Sequence, residues 1–359
     1  MNTVPVQQDR IVFLDYLRAA ACCMVILIHS FEFYYIGEGG KVNFSGPEAT
    51  GWVTWFASAL RIAVPLFVMV SSYLLVPLRE SPGQFYRRRF TRVVIPFAIW
   101  SLLYALLPLS WGEISTDQAT GNLQRLLYNF TDASGHLWFV YMLLGLYLFM
   151  PVISPWLREC SRKFELAFLA VWFLTTFYHY GRELVPGFYG ECDWNEFGTL
   201  WYFSGFIGYV VLGHYIRTYI HWSPRRSVVT GLLLFLAGYA ITAGVFHHRT
   251  ETAVLVPELE LSWRFCTFNV ALMCTGIFLL FKALPSSQGR VYAFFRKVSE
   301  ASYGMYLMHI FFLNMMFKLL SASLPFPIST FAIGISTIVI TYLIARLLSI
   351  PRFGKYLIG

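Results

Sequence analysis

The stretch Arg18-Ala-Ala-Ala-Cys-Cys-Met-Val-Ile-Leu-Ile-His29 places an arginine and a histidine inside an apolar segment that runs from Ile11 to Phe33. A segment of this length and hydropathy predicts a helix that crosses a membrane. Ionisable side chains are costly inside a bilayer, and they usually face a cavity and mark a functional site. A separation of eleven residues corresponds to about three helical turns and roughly 16 Å, so both side chains are expected on one helix face. The stretch therefore predicts a polar site that extends across the membrane.

The composition extends this prediction to the whole chain. Hydrophobic residues make up 57% of the 359 residues and charged residues only 13%, which is too few charges for a soluble protein of this length. We expect no cleavable signal segment, because the first apolar stretch is too long and lacks a small-residue cleavage site. Ten stretches are long enough to span a membrane, at about 11–33, 52–78, 90–109, 136–157, 164–180, 200–220, 227–246, 263–281, 300–320 and 327–350. The sequence predicts an all-α fold, a polytopic membrane bundle of about ten helices, as a single domain over residues 1–359 with no fused soluble domain.

The basic residues are unevenly distributed between alternate loops. With residue 2 on the cytoplasmic side, 18 of the 27 lysines and arginines lie in inner loops, five lie in outer loops and four lie in or beside spans. The positive-inside rule then places both termini in the cytoplasm. The net charge of +8 follows from this topology, so it gives no reason to expect a nucleic-acid partner. The six cysteines form no disulfide framework and lack zinc-ligand spacing, so we expect no metal.

An arginine cluster precedes the third predicted span, in the segment Phe85-Tyr-Arg-Arg-Arg-Phe-Thr-Arg92. On a helix, Arg88 and Arg89 lie four and three residues before Arg92, so the three guanidinium groups can converge. Guanidinium groups bind phosphate through paired hydrogen bonds, which suits a multiply phosphorylated ligand at the cytoplasmic mouth. Arg18 adds a further cation near the inner surface. The alternative is a topology signal that also binds anionic lipid head groups.

The histidine of the first span could act as a general base. A neutral imidazole in an apolar site can accept the proton of a sugar hydroxyl. Glu32 lies three residues after His29, on the same flank of the helix, where it could orient the ring or increase its basicity. The alternative is a histidine that only hydrogen-bonds to a neighbouring helix. The arginine on the same face favours the catalytic interpretation.

Further polar groups fall at matching depths in other spans. Asp15 and Glu300 lie at the inner ends of their spans, His136 opens the fourth span, and His309 lies in the middle of the ninth. Each is more often structural than catalytic, but as a set they predict a polar seam through the bundle. Arg61 lies near the middle of the second span, where Pro65 should bend the helix and open room beside it. The many aromatic side chains near span ends, Trp138 among them, are expected to anchor the protein at the membrane interface, although some could stack on sugar rings.

The ordered motifs resemble those of the acyltransferase-3 family of integral membrane acyltransferases over essentially the whole chain. They occur in the family's order: Leu14-Asp15-x-x-Arg18 followed by His29; Val64-Pro65-Leu66-Phe67 leading to Ser71-x-Tyr73; Arg88-Arg89-x-x-Arg92-x-x-x-Pro96; His136-Leu137-Trp138-Phe139; and Ser302-x-x-x-Tyr306-Leu307-Met308-His309. Two departures are the pair Ser71-Ser72, where the family has Ser-Gly, and the lack of the extracytoplasmic domain that some members carry. The first departure affects helix packing and no catalytic group.

The resemblance implies transfer of an acyl group, usually acetyl from cytoplasmic acetyl-CoA, to a hydroxyl group of a cell-surface glycan or glycolipid. It also implies a multi-pass protein of the bacterial inner membrane. By the same resemblance His29 is the catalytic base, Arg18 is its motif partner, and Arg89 and Arg92 contact the phosphates of coenzyme A. Transfer could be direct or could pass through an acyl group on His29.

Two other classes of function compete with the enzyme. A transporter or flippase would line its path with Arg18, Arg61 and His309, but the sequence has no repeat symmetry of the kind that transporters often show. A membrane scaffold would not need an arginine and a histidine three turns apart on one face. Binding of acetyl-CoA separates the enzyme from both. The partners expected are acetyl-CoA, a glycan or glycolipid acceptor and membrane lipids, and a homo-oligomer is left open.

Overall fold

The computed structural model describes residues 10–129, 134–185, 200–286 and 288–359. Within these ranges the chain is helical and contains no β-strand, which confirms the all-α prediction. The helices are α1 Val12–Glu32, α2 Pro47–Trp52, α3 Ser58–Leu60, α4 Ala63–Leu75, α5 Pro82–Ser110, α6 Thr116–Leu126, α7 Trp138–Glu159, α8 Arg162–Thr175, α9 Tyr178–Leu184, α10 Ile207–Tyr219, α11 Pro224–Arg249, α12 Val256–Leu259, α13 Phe268–Lys282, α14 Arg290–Leu320, α15 Ile328–Leu348 and α16 Lys355–Ile358.

Seven helical segments of the described chain are long and apolar enough to cross a membrane. An eighth crossing is possible where α12 and the residues up to Trp263 join α13 at a bend of 44°. The predicted spans 164–180 and 200–220 correspond to α8 and α10, which have only 14 and 13 residues. The predicted number of ten spans is therefore not confirmed. The chain is a multi-pass membrane protein, and the cytoplasmic position of its termini stays a prediction, with residues 1–9 outside the described ranges.

Local sequence signals set where the helices begin and bend. Ser81 caps α5 by accepting a hydrogen bond from the backbone N–H of Gln84, and Pro82 follows in the first turn, a favoured arrangement at a helix start. The second span, Pro47–Leu75, contains a π-helical turn at Val53–Ala57 and breaks at Arg61 and Ile62. Pro65 has no N–H to donate to the carbonyl of Arg61, four residues earlier, so the break falls where the proline predicts it.

Helix α1 is central to the bundle and packs against α4, α13, α14 and α15. Helix α10 packs closely on α4, where the hydroxyl of Ser72 donates a hydrogen bond to the carbonyl of Val210. A Cβ atom at Gly213 would lie 2.9 Å from the carbonyl oxygen of Met69. The close approach of the two helices is therefore made by a glycine on α10, opposite Ser72 and Met69 of α4.

Candidate active site

A cavity of about 740 Å³ opens between α1, α4, α5, α7 and α14, at the end of the bundle where α1 begins. Its volume lies in the range of pockets that hold small-molecule substrates. Polar side chains line one end, and the rings of Phe67, Phe139 and Tyr306 line the other. The polar lining consists of Arg10, Asp15, Arg18, Ser71, Arg89, Arg92, Tyr147, Arg296, Ser299, Glu300, Ser302 and Tyr303. The structure thus brings Arg18 together with two of the predicted phosphate contacts.

Three of the five arginines that line the cavity lack acidic partners. Neither Arg18, Arg89 nor Arg92 makes a side-chain hydrogen bond or ion pair with any residue in the described ranges. Arg18 and Arg89 are half-buried and Arg92 is exposed, and the Nε atom of Arg89 is buried without a partner. An unpaired charge away from water is costly, so buried guanidinium groups are normally paired. The three side chains therefore form a candidate anion-binding site.

Arg88 differs from its neighbours in the cluster. Its guanidinium group is bonded to the carboxylate of Glu80, and the side chain is 60% exposed. It lines a second cavity of about 400 Å³ that shares Arg18 and Arg89 with the first. Arg88 is therefore less available to a ligand of the main cavity than the sequence suggested. Its place in the second cavity keeps it close to the same anion-binding site.

Asp15 joins helix α1 to helix α14. Its carboxylate accepts hydrogen bonds from Arg10 at 2.6 and 3.0 Å, from Tyr292 at 3.0 Å and from Ser299 at 2.8 Å. The hydrogen bond to Asp15 raises the pKa of the Arg10 guanidinium above its usual value, and Glu300 adds to this. Asp15 faces the cavity, but its acceptor capacity is largely used within the protein. Its role is therefore to position the beginning of α1.

His29 lies at the opposite end of α1 and contacts Glu32. The distance between Nδ1 of His29 and a carboxylate oxygen of Glu32 is 2.7 Å. An ionised carboxylate only accepts, so Nδ1 carries the hydrogen and Nε2 of the neutral ring keeps its lone pair. Both side chains remain partly accessible, at 22% and 28% exposure. This arrangement leaves Nε2 free to accept a proton from a hydroxyl group.

Two further histidines lie beside His29. The ring centroids of His29 and His309 are 5.2 Å apart, and those of His309 and His136 are also 5.2 Å apart. The Nε2 atoms of His136 and His309 are both buried and have no hydrogen-bond partner. Tyr306 lines the cavity, donates a hydrogen bond of 2.6 Å to the carbonyl of His136, and contacts the ring of His309. The polar seam expected from the sequence therefore converges on a cluster of three histidines.

Arg61 lies on the His29 side of the bundle and has partners. It donates a hydrogen bond of 3.2 Å to the carbonyl of Trp263, lies 3.6 Å from a carboxylate oxygen of Glu260 and packs over the rings of Trp263 and Phe265. Phe265 in turn stacks on Trp138, which is 38% exposed. Arg61 therefore neighbours the site, and it does not join Arg18 in the cavity.

Two residues of this region were missed by sequence reasoning. Glu260 pairs with Arg61 and accepts a hydrogen bond of 2.5 Å from the hydroxyl of Tyr35. Burial, together with Glu260, raises the pKa of Tyr35 well above its usual value. Tyr147 lines both cavities and faces the unpaired arginines. A signal for Tyr147 existed, because it follows His136 by eleven residues, the spacing that separates Arg18 from His29.

The described residues contain no group of three or more histidine, cysteine or acidic side chains that could hold a metal ion. In comparisons with known proteins, a family model of the acyltransferase domain, that of the acyltransferase-3 family, matches residues 11–346. No curated protein and no solved structure matches the chain. The matched range includes the histidine cluster and all residues of the cavity lining except Arg10.

Proposed function

This chain belongs to the acyltransferase-3 family and is a membrane acyltransferase, and we propose that it transfers an acetyl or other short acyl group from acetyl-CoA to a hydroxyl group of a glycan or glycolipid. The assignment of coenzyme A as the donor rests on the three arginines around the cavity that have no acidic partner, Arg18, Arg89 and Arg92. Coenzyme A presents several phosphate oxygens, and guanidinium groups match them in charge and geometry.

The two ends of the site are separated by a distance that suits the donor. Arg18 and His29 are eleven residues apart on one helix, which corresponds to roughly 16 Å. The pantetheine arm of coenzyme A is about as long as this rise. With its phosphates on the arginines, the donor would extend along α1 toward His29, which lies beyond the residues that line the cavity.

The chemistry follows from the hydrogen bonds of His29. Its Nε2 atom accepts the proton of the acceptor hydroxyl, and the oxygen attacks the thioester carbonyl carbon. Glu32 stabilises the imidazolium that forms, because its carboxylate already binds the Nδ1–H. The carbon–sulfur bond then breaks, the acyl ester is released, and the thiolate takes the proton from Nε2.

We propose that the acceptor is a glycan or glycolipid of the cell envelope and that the protein lies in a bacterial inner membrane. The blocks Val64-Pro65-Leu66-Phe67 and His136-Leu137-Trp138-Phe139 resemble those of the O-acetyltransferase of enterobacterial common antigen. The partly exposed ring of Trp138, stacked on Phe265 close to Arg61, supports a sugar ring as the acceptor. In this proposal the acceptor enters from the outer side of the membrane and acetyl-CoA from the inner side.

A transporter or flippase remains the second candidate, with a path along Arg18, Arg61 and His309. The contacts of Arg61 favour the enzyme, because its guanidinium group is engaged by Glu260 and by the carbonyl of Trp263. A path along these residues would require those contacts to break.

The proposal is tested by thermal stabilisation of the detergent-purified chain with acetyl-CoA. We expect stabilisation in the wild type and in His29→Ala, and its loss in the double variant Arg89→Ala/Arg92→Ala. Arg225→Ala is the control, since Arg225 is an exposed arginine of a predicted inner loop and lines none of the cavities around Arg18 and Arg92. Acyl transfer to a glycan acceptor should be absent in His29→Ala. A wild type that acetyl-CoA does not stabilise would contradict the donor assignment and favour the transporter.

A further inference from the structure

On two sides of the cavity the lining residues lead to a histidine. On α14 the lining residues Tyr303 and Tyr306 are followed by His309, three residues after Tyr306. At the start of α7 the lining residue Phe139 follows His136 by three residues, and His136 lies in the turn Gly135–Leu137 that precedes the helix. Residues three or four apart share a face of a helix. His309 therefore lies about one helical turn beyond the cavity lining, and the ring of His136 lies beside it.

His309 presents an unused hydrogen-bond acceptor at this place. The carbonyl oxygen of Tyr306 can only accept a hydrogen bond, and it lies 2.5 Å from Nδ1 of His309. Nδ1 therefore carries the hydrogen. In the neutral ring Nε2 is then an acceptor. The side chain is fully buried, and Nε2 has no partner. Buried polar atoms are nearly always paired, and an acceptor left alone is costly. Nε2 of His309 is therefore an acceptor for which the described residues supply no hydrogen-bond donor.

The pantetheine arm carries a donor at the right place along its length. It contains two amide N–H groups, and the one nearer to the sulfur is separated from it by two methylene groups. The ring of His309 lies beside that of His29, with centroids 5.2 Å apart. A thioester presented to His29 by an arm that comes through the cavity brings this amide past Tyr306 and up to His309.

We propose that Nε2 of His309 accepts a hydrogen bond from the amide N–H of the donor arm nearest to the sulfur. His309 is then a positioning residue, which sets how far the arm enters and aligns the thioester with His29. This inference rests on the proposed function, because it needs a pantetheine thioester in the cavity. It assigns His309 to the donor, whereas His29 serves the acceptor hydroxyl.

The test compares three ligands: acetyl-CoA, an analogue in which the amide near the sulfur is replaced by an ester, and an analogue with the same replacement in the far amide. Each is titrated against the purified full-length wild type, His309→Phe and His309→Gln. The phenylalanine variant keeps a ring in the buried site but removes the acceptor. The glutamine variant retains an acceptor oxygen.

We expect the wild type to bind acetyl-CoA roughly three- to tenfold more tightly than the near-ester analogue, which is the range of one net hydrogen bond. His309→Phe should lose this preference, and His309→Gln should keep part of it. Any preference for acetyl-CoA over the far-ester analogue should be the same in the wild type and in both variants. A merely structural role of His309 would change the binding of all three ligands in parallel.

Two results would overturn the proposal: equal binding of acetyl-CoA and the near-ester analogue by the wild type, or an unchanged preference in His309→Phe. The comparison of acetyl-CoA with the near-ester analogue in the wild type tests the proposal even if His309→Phe does not fold. A wild type that binds acetyl-CoA through Arg89 without preferring the near amide contradicts this inference alone. A wild type that binds no acetyl-CoA contradicts the proposed function as well.

Discussion

Replacing Glu32 with glutamine tests whether His29 works as a base held by its neighbour. The carboxylate lies 2.7 Å from Nδ1 of His29 and stabilises the positive charge that the ring acquires when it takes a proton. An amide of the same size keeps the contact but loses the charge. It can also turn its NH₂ group toward Nδ1, which would place the hydrogen of the neutral ring on Nε2 and remove the base.

The size of the effect follows from the geometry and exposure of the pair. Two unit charges about 4 Å apart interact by about 4 kcal/mol at an effective dielectric constant of about 20. The side chains are 22% and 28% exposed, so solvent screening reduces this, and we expect a loss of about 2–3 kcal/mol, as for a hydrogen bond to a charged group. The value of kcat should therefore fall roughly 30- to 150-fold.

The assay is acyl transfer at saturating donor, accompanied by donor-induced thermal stabilisation. Stabilisation by acetyl-CoA should stay at the wild-type level in Glu32→Gln, because the arginines that bind the donor lie at the other end of α1. The matched control is Glu260→Gln, which removes a carboxylate of the same region that contacts Arg61 and Tyr35. We expect kcat of the control to change less than about threefold. Equal losses in the two variants, or a Glu32→Gln variant within about threefold of wild type, would refute the assignment.

Two further predictions concern the packing that holds the site. In Gly213→Ala the new Cβ atom would meet a backbone carbonyl oxygen of α4 at 2.9 Å, so we expect a loss of about 1–3 kcal/mol in the free energy of unfolding, seen as a lower melting temperature in detergent. Gly244→Ala, where a Cβ has nothing within 4 Å, should not be destabilised, and equal effects of the two would contradict the packing argument. Asp15→Asn should lower the free energy of unfolding by about 1–3 kcal/mol. It weakens the hydrogen bonds that the buried carboxylate accepts from Arg10, Tyr292 and Ser299, while Arg10 itself is 38% exposed and keeps its pair with Glu300. Glu300→Gln, in a more exposed pair, should cost less than about 1 kcal/mol, and chemical denaturation of both variants separates these outcomes.

The helical period was the most informative part of the sequence. It predicted that Arg18 and His29 share a face of one helix, and the structure places Arg18 in the cavity and His29 beside His309, whose helix lines the same cavity. The spacing of Arg88, Arg89 and Arg92 predicted that they converge on α5, and the structure places Arg89 and Arg92 in the cavity, whereas Arg88 pairs with Glu80. Such predictions succeed because the periodicity of a long helix is fixed by its geometry, whatever the helix packs against.

Contacts between distant segments could not be predicted in this way. The pair of Arg88 with Glu80 depends on the path of the chain before α5, and the pair of Arg61 with Glu260 joins segments about 200 residues apart. The hydropathy of the sequence also predicted membrane spans at 164–180 and 200–220, where the structure has only the short helices α8 and α10. A sliding window measures apolar composition, so it does not detect where a helix stops within an apolar stretch.

The distance between the arginines and His29 leads to a final prediction about which acyl donors the protein can use. Arg18 and His29 on α1 are eleven residues apart, or roughly 16 Å along the helix axis. Tyr147 on α7 has the same separation in sequence from His136, in the turn before α7. A donor that binds the arginines through phosphate must carry its acyl group over this distance to reach the base. Acetyl phosphate has its acyl carbon one oxygen away from phosphorus, so it cannot occupy both ends at once.

We therefore expect acetyl phosphate to compete weakly with acetyl-CoA for the arginines but to support no acyl transfer. Acetyl-pantetheine, which has the arm without the nucleotide, should support transfer with a much higher KM and a kcat closer to that of acetyl-CoA, because the arginine contacts contribute mainly to binding. The measurement is acyl transfer to a glycan acceptor with each of the three donors. Efficient transfer from acetyl phosphate would show that phosphate binds next to His29, and would contradict the two-ended site.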